Sequence, residues 1–130
     1  MKISLVIIVK NEEKVLRRCV ESCLPIGIDE FVIVDTGSTD GTPDIIKEFC
    51  GQVRTVVFES YVQAKNDAIA MATGDYILLM DADEFFVFGA EKVRGFAGSG
   101  VDALTCRIVE GNPVINTYFR VRMWKNNFGW

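Results

Sequence analysis

The stretch that most constrains this chain is Tyr76-Ile-Leu-Leu-Met-Asp-Ala-Asp-Glu84, preceded by Gly74-Asp75. Five apolar residues run straight into three carboxylates within four positions. A short, continuous apolar run after a turn signal reads as a strand buried on both faces. Asp81 and Asp83 then fall where that strand emerges. If the chain stays extended there, a period of two puts both carboxylates on one side and turns Ala82 away. Two anions that close repel, and one takes up a proton unless a cation lies between them. A hard divalent ion meets that need, since such ions commonly use one or two protein carboxylates plus substrate phosphates. A solvated acidic turn is the alternative reading, and an Asp-x-Asp alone does not decide between the two.

The rest of the chain alternates strands with helices. Ile3 to Val9 is an apolar run of strand character. After the polar break at Asn11, Val15, Leu16, Cys19, Val20, Cys23 and Leu24 recur at helical spacing. Asn11 suits an N-cap for that helix, with Glu12 and Glu13 in its first turn. Pro25 and Gly27 end it. Phe31 to Val34 is a second strand that ends at Asp35. Asp35-Thr-Gly-Ser-Thr-Asp-Gly-Thr42 is a dense polar turn, with Thr42 as N-cap and Pro43 opening a helix to about Cys50. Val53 to Phe58 reads as a third strand, Tyr61 to Ala72 as a helix packed through its alanines, and 76–81 as the fourth strand. This order specifies an α/β layer with parallel strands and right-handed crossovers. Ligands in such folds bind beyond the carboxyl ends of the strands. Asn11, Asp35 and Asp81–Asp83 each follow a strand, so three polar clusters converge on one edge of the sheet. That convergence weighs against the solvated-turn reading.

Composition sets limits. With 130 residues the chain is one domain's worth, and its net charge of −4 gives no general attraction for nucleic acid or an anionic membrane. It contains no histidine, which excludes histidine bases, Ser-His-Asp triads and His-ligated zinc within it. Cys19, Cys23, Cys50 and Cys106 include no Cys-x-x-Cys pair and read as small buried hydrophobes. Reduced thiols, no stretch of eighteen apolar residues and no leader point to the cytosol.

Ser4-Leu-Val-Ile-Ile-Val-Lys-Asn-Glu-Glu13, Phe31-Val-Ile-Val-Asp-Thr-Gly-Ser-Thr-Asp-Gly-Thr42, Ala64-Lys-Asn-Asp-Ala68 and Gly74 to Glu84 occur together, in order. In this combination the chain resembles the nucleotide-binding half of a family 2 glycosyltransferase over about residues 3 to 90. The resemblance implies a GT-A fold: a Rossmann-like α/β/α sandwich with a mostly parallel sheet of strand order 3-2-1-4. It implies metal-dependent, inverting transfer from a nucleotide sugar, with UDP as the nucleotide, to an acceptor of unknown type (glycan, lipid or protein). It also implies that Ile8 and Val9, with Asn11 and Glu12, line the base and ribose pocket. Asp35 would bond the uracil or ribose, Lys65 would face the donor phosphates, and Asn66 would support the site. Asp81 and Ala82 would lie against the donor, and Asp83, with Asp81 near it, would hold Mn²⁺ or Mg²⁺. Thr36 stands where the family often has a second aspartate, which touches only a minor contact. A place at the inner face of the membrane is compatible with such a role.

Residues 1–90 therefore read as a nucleotide-binding half and 91–130 as the incomplete start of an acceptor side, in one truncated domain. Phe85, Phe86, Val87 and Phe88 form an apolar patch, expected to be core or a hinge. Ala103 to Val109 and Thr117 to Trp124 alternate enough to be a hairpin across Gly111-Asn-Pro113. Arg107, Arg120, Arg122 and Lys125 make this end basic and read as a solvated strand face, with contacts to phosphate as the lesser alternative. Glu91, Asp102 and Glu110 are available acids, but none lies in a recognisable motif for the general base, which is expected outside the chain. A sheet edge left open by truncation could pair with a second copy. Two other readings stand beside the transferase. One is a non-catalytic nucleotide-sugar-binding module. The other is a haloacid-dehalogenase-like phosphatase, although Phe85 stands where that chemistry wants Thr or Val.

Overall fold

Alternation along the first strand, β1 (Ile3–Val9), sorts its side chains between two cores. Ile3, Leu5, Ile7 and Val9 face one way and Val6 the other, with Ile8 packed beside it. Burial on both faces is what a continuous apolar run without alternating polar residues requires. The computed structural model describes residues 1–112 and 114–127. The elements that follow β1 are α1 (Leu16–Cys23), a 3₁₀ turn (Leu24–Ile26), β2 (Glu30–Asp35), α2 (Thr42–Cys50), β3 (Arg54–Thr55) and α3 (Tyr61–Met71). After them come β4 (Tyr76–Asp81), α4 (Ala90–Gly98), β5 (Ala103–Glu110) and β6 (Asn116–Lys125).

The six strands form one sheet in the order β3-β2-β1-β4-β6-β5. The β1–β2, β1–β4 and β2–β3 pairs are parallel, whereas β6 runs antiparallel to both β4 and β5. The expected 3-2-1-4 order is present, with the expected hairpin added beyond β4. Pro113 of its expected turn lies outside the described residues. One face of the sheet is covered by α1, α2 and α4 through Leu16, Cys19, Val20, Cys23, Ile46, Val93 and Ala97. The other is covered by α3 through Ala68, with Ala72 just past its end. Alanine at these positions lets α3 lie close to the sheet. The result is a three-layer α/β/α arrangement. Among the described residues no helix is long and apolar enough to cross a membrane.

Four local expectations need correction. The strand expected over 53–58 shrinks to Arg54–Thr55, paired only with Val34 and Asp35 at the edge of the sheet. Val56 still packs on the core, but Val57 is 80% exposed and Phe58 turns to Tyr61, so the outer end of that run is not held in the sheet. Asn11 does not cap α1, which begins five residues later at Leu16 after a turn through Glu12. Helix α2 begins with Thr42 already inside it, and Gly41 takes the cap position. Phe85, Val87 and Phe88 are exposed rather than core, and only Phe86 packs inward.

Helix α4 is an element that the residue pattern after Phe88 does not reveal. Its inward positions are Ala90, Val93 and Ala97, with Glu91 in the first turn. Gly95 and Gly98, poor helix residues, hide a pattern whose spacing is nonetheless helical. Arg94 holds this helix in place, donating from Nε to the Ile26 carbonyl at 3.1 Å and pairing with Asp29.

Candidate donor site at the carboxyl ends of the strands

Register places the site. Val9 lies beside Asp35 on β2, and Ile8 lies beside Asp81 on β4. The carboxyl ends of the three adjacent strands therefore bring Asn11, Asp35 and Asp81 to one edge.

Two of the loops at that edge are stitched together. The backbone at Asn11 turns left-handed (φ +53°), a conformation asparagine tolerates better than most residues. That turn lets Asn11 Oδ1 accept from the Thr39 N–H at 2.7 Å, while its own N–H donates to Ser38 Oγ at 2.8 Å. The Glu12 N–H donates to the buried Thr42 Oγ1 at 2.9 Å. Glu13 Oε2 accepts from the Gly41 N–H at 2.7 Å. Thr36 Oγ1 donates to the Val9 carbonyl at 3.0 Å, so the threonine at that position ties β2 back to β1. Gly37 passes through φ +110°, where a side chain would be strained. Asp35 is 4% exposed, and both of its oxygens accept from the Ser38 N–H, at 3.2 and 3.1 Å, with Ser38 Oγ also on Oδ1. A carboxylate offers about four acceptor directions, so Ser38 does not exhaust it.

The segment 81–84 does not stay extended. The Glu84 N–H donates to the Asp81 carbonyl at 2.9 Å, closing a turn. Ala82 is turned into the core, as expected, but the two aspartates end in different surroundings. Asp81 is half-buried and surrounded by cations. Lys65 Nζ from α3 lies 3.5 Å from Oδ1, Arg122 Nη2 from β6 lies 3.1 Å from Oδ2, and Arg120 Nη1 lies 3.9 Å from Oδ2. Burial by itself would raise the Asp81 carboxyl; Lys65 and Arg122 outweigh it and hold the group below the ordinary aspartate value. Asp83 is exposed, with no hydrogen bond or ion pair to another described residue. Glu12 is near enough to feel it. Its carboxyl is pushed above the ordinary range by burial first, then by Asp83 and Asp40.

Among the described residues no three His, Cys, Asp or Glu side chains are grouped to hold a metal ion. The expected pair of carboxylates on one side is replaced by one ion-paired aspartate and one open aspartate. The donors still suit a hard cation that takes few protein ligands. Asp83 is unpaired among the described residues, and the Glu12 carboxyl, raised first by burial and then by Asp83 and Asp40, lies near it, so both offer the oxygen donors such an ion takes.

Lys65 is brought into the cluster, but Asn66 is exposed and no hydrogen bond joins it to the site among the described residues. The largest departure concerns the basic strand. Arg122 is 4% exposed and pairs with Asp81 and Glu84, so it belongs to the site and not to a solvated face. Glu84 was visible beside the two aspartates. Arg122 gave no local signal, because its burial depends on how the hairpin returns to β4. A groove of ≈ 900 Å³ runs alongside Asp81 and Asp83, walled by Phe86, α4 and the β5–β6 hairpin.

The model of "Glycosyl transferase family 2" matches residues 4–129. A TPR repeat-containing protein of Synechococcus elongatus is 41% identical over 90 residues, covering 68% of this chain and 22% of that protein. Poly(ribitol-phosphate) beta-glucosyltransferase of Bacillus spizizenii is 36% identical over 96 residues, covering 65% and 15%. The crystal structure of Staphylococcus aureus TarS superposes with a TM-score of 0.63 at 23% identity, over 76% of this chain and 32% of that one. Glucosyl-3-phosphoglycerate synthase of Mycobacterium tuberculosis, solved with Mn²⁺ and UDP-glucose, superposes with a TM-score of 0.52 at 28% identity, over 65% and 34%. The chain thus spans less than a quarter of the length of these two curated relatives. With a matching model over nearly all its residues, this chain belongs to glycosyl transferase family 2.

Proposed function

We propose that residues 1–130 bind the donor of a metal-dependent, inverting glycosyltransferase, and that the donor is a UDP-sugar. The observation that carries this reading is the convergence at one sheet edge of the stitched loops 11–13 and 35–42 with the Lys65–Asp81–Asp83 cluster. The solved relative that holds Mn²⁺ and UDP-glucose adds support. Family membership displaces the phosphatase reading.

In this proposal the base and ribose lie against the ends of β1 and β2, along Ile8, Val9, Asn11 and Glu12. Asp35 uses its remaining acceptor direction for the uracil N–H, a charge-assisted bond. Lys65 faces the diphosphate, and Asn66 supports it from the next position of α3. Asp81 lies under the donor, and Ala82, whose methyl packs in the core, presents only its backbone there. Asp83, with Glu12 beside it, would hold Mn²⁺ or Mg²⁺; when bound, such an ion neutralises charge on the departing diphosphate. Inverting transfer also needs a carboxylate to take the acceptor's proton. Asp102 is taken by Lys125 at 2.7 Å, Glu110 accepts from the Tyr118 hydroxyl at 2.7 Å, and Glu91 lies in the first turn of α4. None of the three is assigned as the base, and the chain by itself is expected to bind donor and transfer sugar poorly.

Turnover separates this reading from a module that only binds. UDP with Mn²⁺ raises the melting temperature in either case. If the chain contains a working transferase site, it also releases UDP from a UDP-sugar when an acceptor is supplied. Robust transfer would show that the base lies within these 130 residues. No stabilisation by UDP in the presence of Mn²⁺ would remove the donor-binding proposal.

A further inference from the structure

Arg122 is the one residue of the β5–β6 hairpin that is charged and buried, with a side chain only 5% exposed. Its Nη2 donates to Asp81 Oδ2 at 3.1 Å and to Glu84 Oε1. Glu84 Oε2 in turn accepts from the Asp81 N–H at 3.1 Å, and the Glu84 N–H donates to the Asp81 carbonyl at 2.9 Å. These contacts form a closed ring. It runs from the guanidinium to the Glu84 carboxylate, to the Asp81 backbone, to the Asp81 carboxylate and back. Asp83 sits inside the turn that the ring defines.

A guanidinium placed for the stability of the hairpin would spend its donors on hairpin carbonyls. The side chain of Arg122 has no such bond among the described residues, and its buried Nε–H has no partner among them either. A buried donor left unpaired is rare in native structures and calls for a reason. Packing alone supplies none here, because the last three residues joining β6 to β4 are Met123, Trp124 and Lys125. Arg122 is the first residue past that pairing, and it falls at the irregularity where the β5–β6 register shifts between Leu104 and Thr105, so it has no direct cross-strand partner. From there its buried side chain reaches the end of β4 through its bonds to Asp81 and Glu84.

We propose that Arg122, acting through Glu84, is a positioning residue for the donor site: it sets the turn that presents Asp83 and fixes the direction of the Asp81 carboxylate. The inference rests on the donor-binding reading above. It adds that the metal-dependent part of nucleotide affinity is controlled from β6, on the far side of β4 from the base pocket. Outer partners that orient a ligand carboxylate commonly affect metal affinity this strongly. The alternative is competition, in which the arginine occupies Asp81 and must be displaced before the donor binds. The two predict opposite results when the arginine is removed.

The test is calorimetric titration of the 130-residue chain with UDP, in Mn²⁺ and in EDTA, comparing the parent with Arg122→Met, Arg122→Lys and Glu84→Gln. The quantity read is the ratio of the two dissociation constants. Positioning predicts that Arg122→Met reduces that ratio by about tenfold or more, while affinity in EDTA stays near the parent value. Arg122→Lys, which keeps one charged donor, should recover part of the loss. Glu84→Gln keeps its shape and its bond to the Asp81 N–H, and should lose the ratio by a smaller factor. That variant decides the matter if Arg122→Met does not fold. An unchanged or increased ratio in the folded variants would overturn the positioning role and favour competition. An equal fall in EDTA and in Mn²⁺ would also overturn it, since that marks a merely structural arginine. A parent chain whose UDP affinity ignores Mn²⁺ would instead remove the donor-site reading, and Arg122 would have no ligand to position.

Discussion

Replacing Asp35 with alanine tests whether one carboxylate both folds a loop and reads the nucleotide. The side chain is 4% exposed and accepts three hydrogen bonds from Ser38, two of them from the same N–H. Hydrogen bonds to a charged group contribute about 1.5–3 kcal/mol each, but a shared donor counts once and half-buried Ser38 recovers some water. Loss of about 2–3 kcal/mol of stability follows, read as a fall in melting temperature of roughly 4 °C per kcal/mol for a chain of this size. Asp35→Asn keeps one acceptor and should cost about 1 kcal/mol. For UDP, loss of a charge-assisted contact should weaken binding by about 1.5–3 kcal/mol, on the order of 10- to 150-fold. Ser38→Ala separates direct from indirect action. It removes the hydroxyl that serves both Asp35 and the Asn11 N–H, yet leaves the carboxylate. If Asp35 touches the base, Ser38→Ala weakens UDP clearly less than Asp35→Ala. Equal losses would show that Asp35 acts only by shaping the loop. Unchanged UDP affinity in Asp35→Ala and Asp35→Asn would refute any role in recognition.

Gly74→Ala provides a control away from the site: its Cβ would meet Ser4 Oγ at 2.5 Å and Ser4 N at 2.8 Å, so backbone must move. Melting should fall by about 8 °C or more, from about 2 kcal/mol of overpacking, with UDP affinity unaltered in the folded fraction. Acid should destabilise the chain through Asp29, Glu30, Asp40 and Asp81, whose folded values are all depressed. Their stabilisation is complete above the unfolded carboxylate value, roughly 4, and is lost as pH falls through the lower folded values. Glu12 opposes them. Its raised value makes its contribution favourable only in acid and lost as pH rises from the unfolded value through the higher folded one, so Glu12→Gln should remove that fall in stability. Thiol titration should find Cys19 and Cys23 unreactive until denaturation, since burial pushes both up, Cys23 to about 12.

The sheet was legible because β1, β2 and β4 are continuous apolar runs ended by polar residues, and burial on both faces permits little else. Helix α3 was legible from the spacing of its alanines even though its amphipathic contrast is weak. What escaped depends on tertiary surroundings. β3 shortens because an edge strand with no outer neighbour has little to hold it, whatever its propensity. Asn11 looks like an N-cap by type and position, yet its side chain serves the neighbouring loop, since both roles want the same short acceptor. The Asp-x-Asp spacing showed where carboxylates gather but not that the chain turns after Asp81. Nor could it show that α3 and β6 would deliver three cations to that one aspartate. Those partners lie 16 to 41 residues away in sequence, and only the topology brings them together.

The most direct measurement is UDP affinity in Mn²⁺ and in EDTA, for the parent chain and for Asp83→Ala. Asp83 is the one aspartate of the pair left open, so its removal should abolish the metal-dependent gain while leaving the EDTA value and the melting temperature of the free chain near those of the parent. Affinity that is the same in Mn²⁺ and EDTA for the parent, or a gain that survives in Asp83→Ala, would contradict a metal-assisted donor site at the end of β4 and leave residues 81–84 as an ion-paired structural turn.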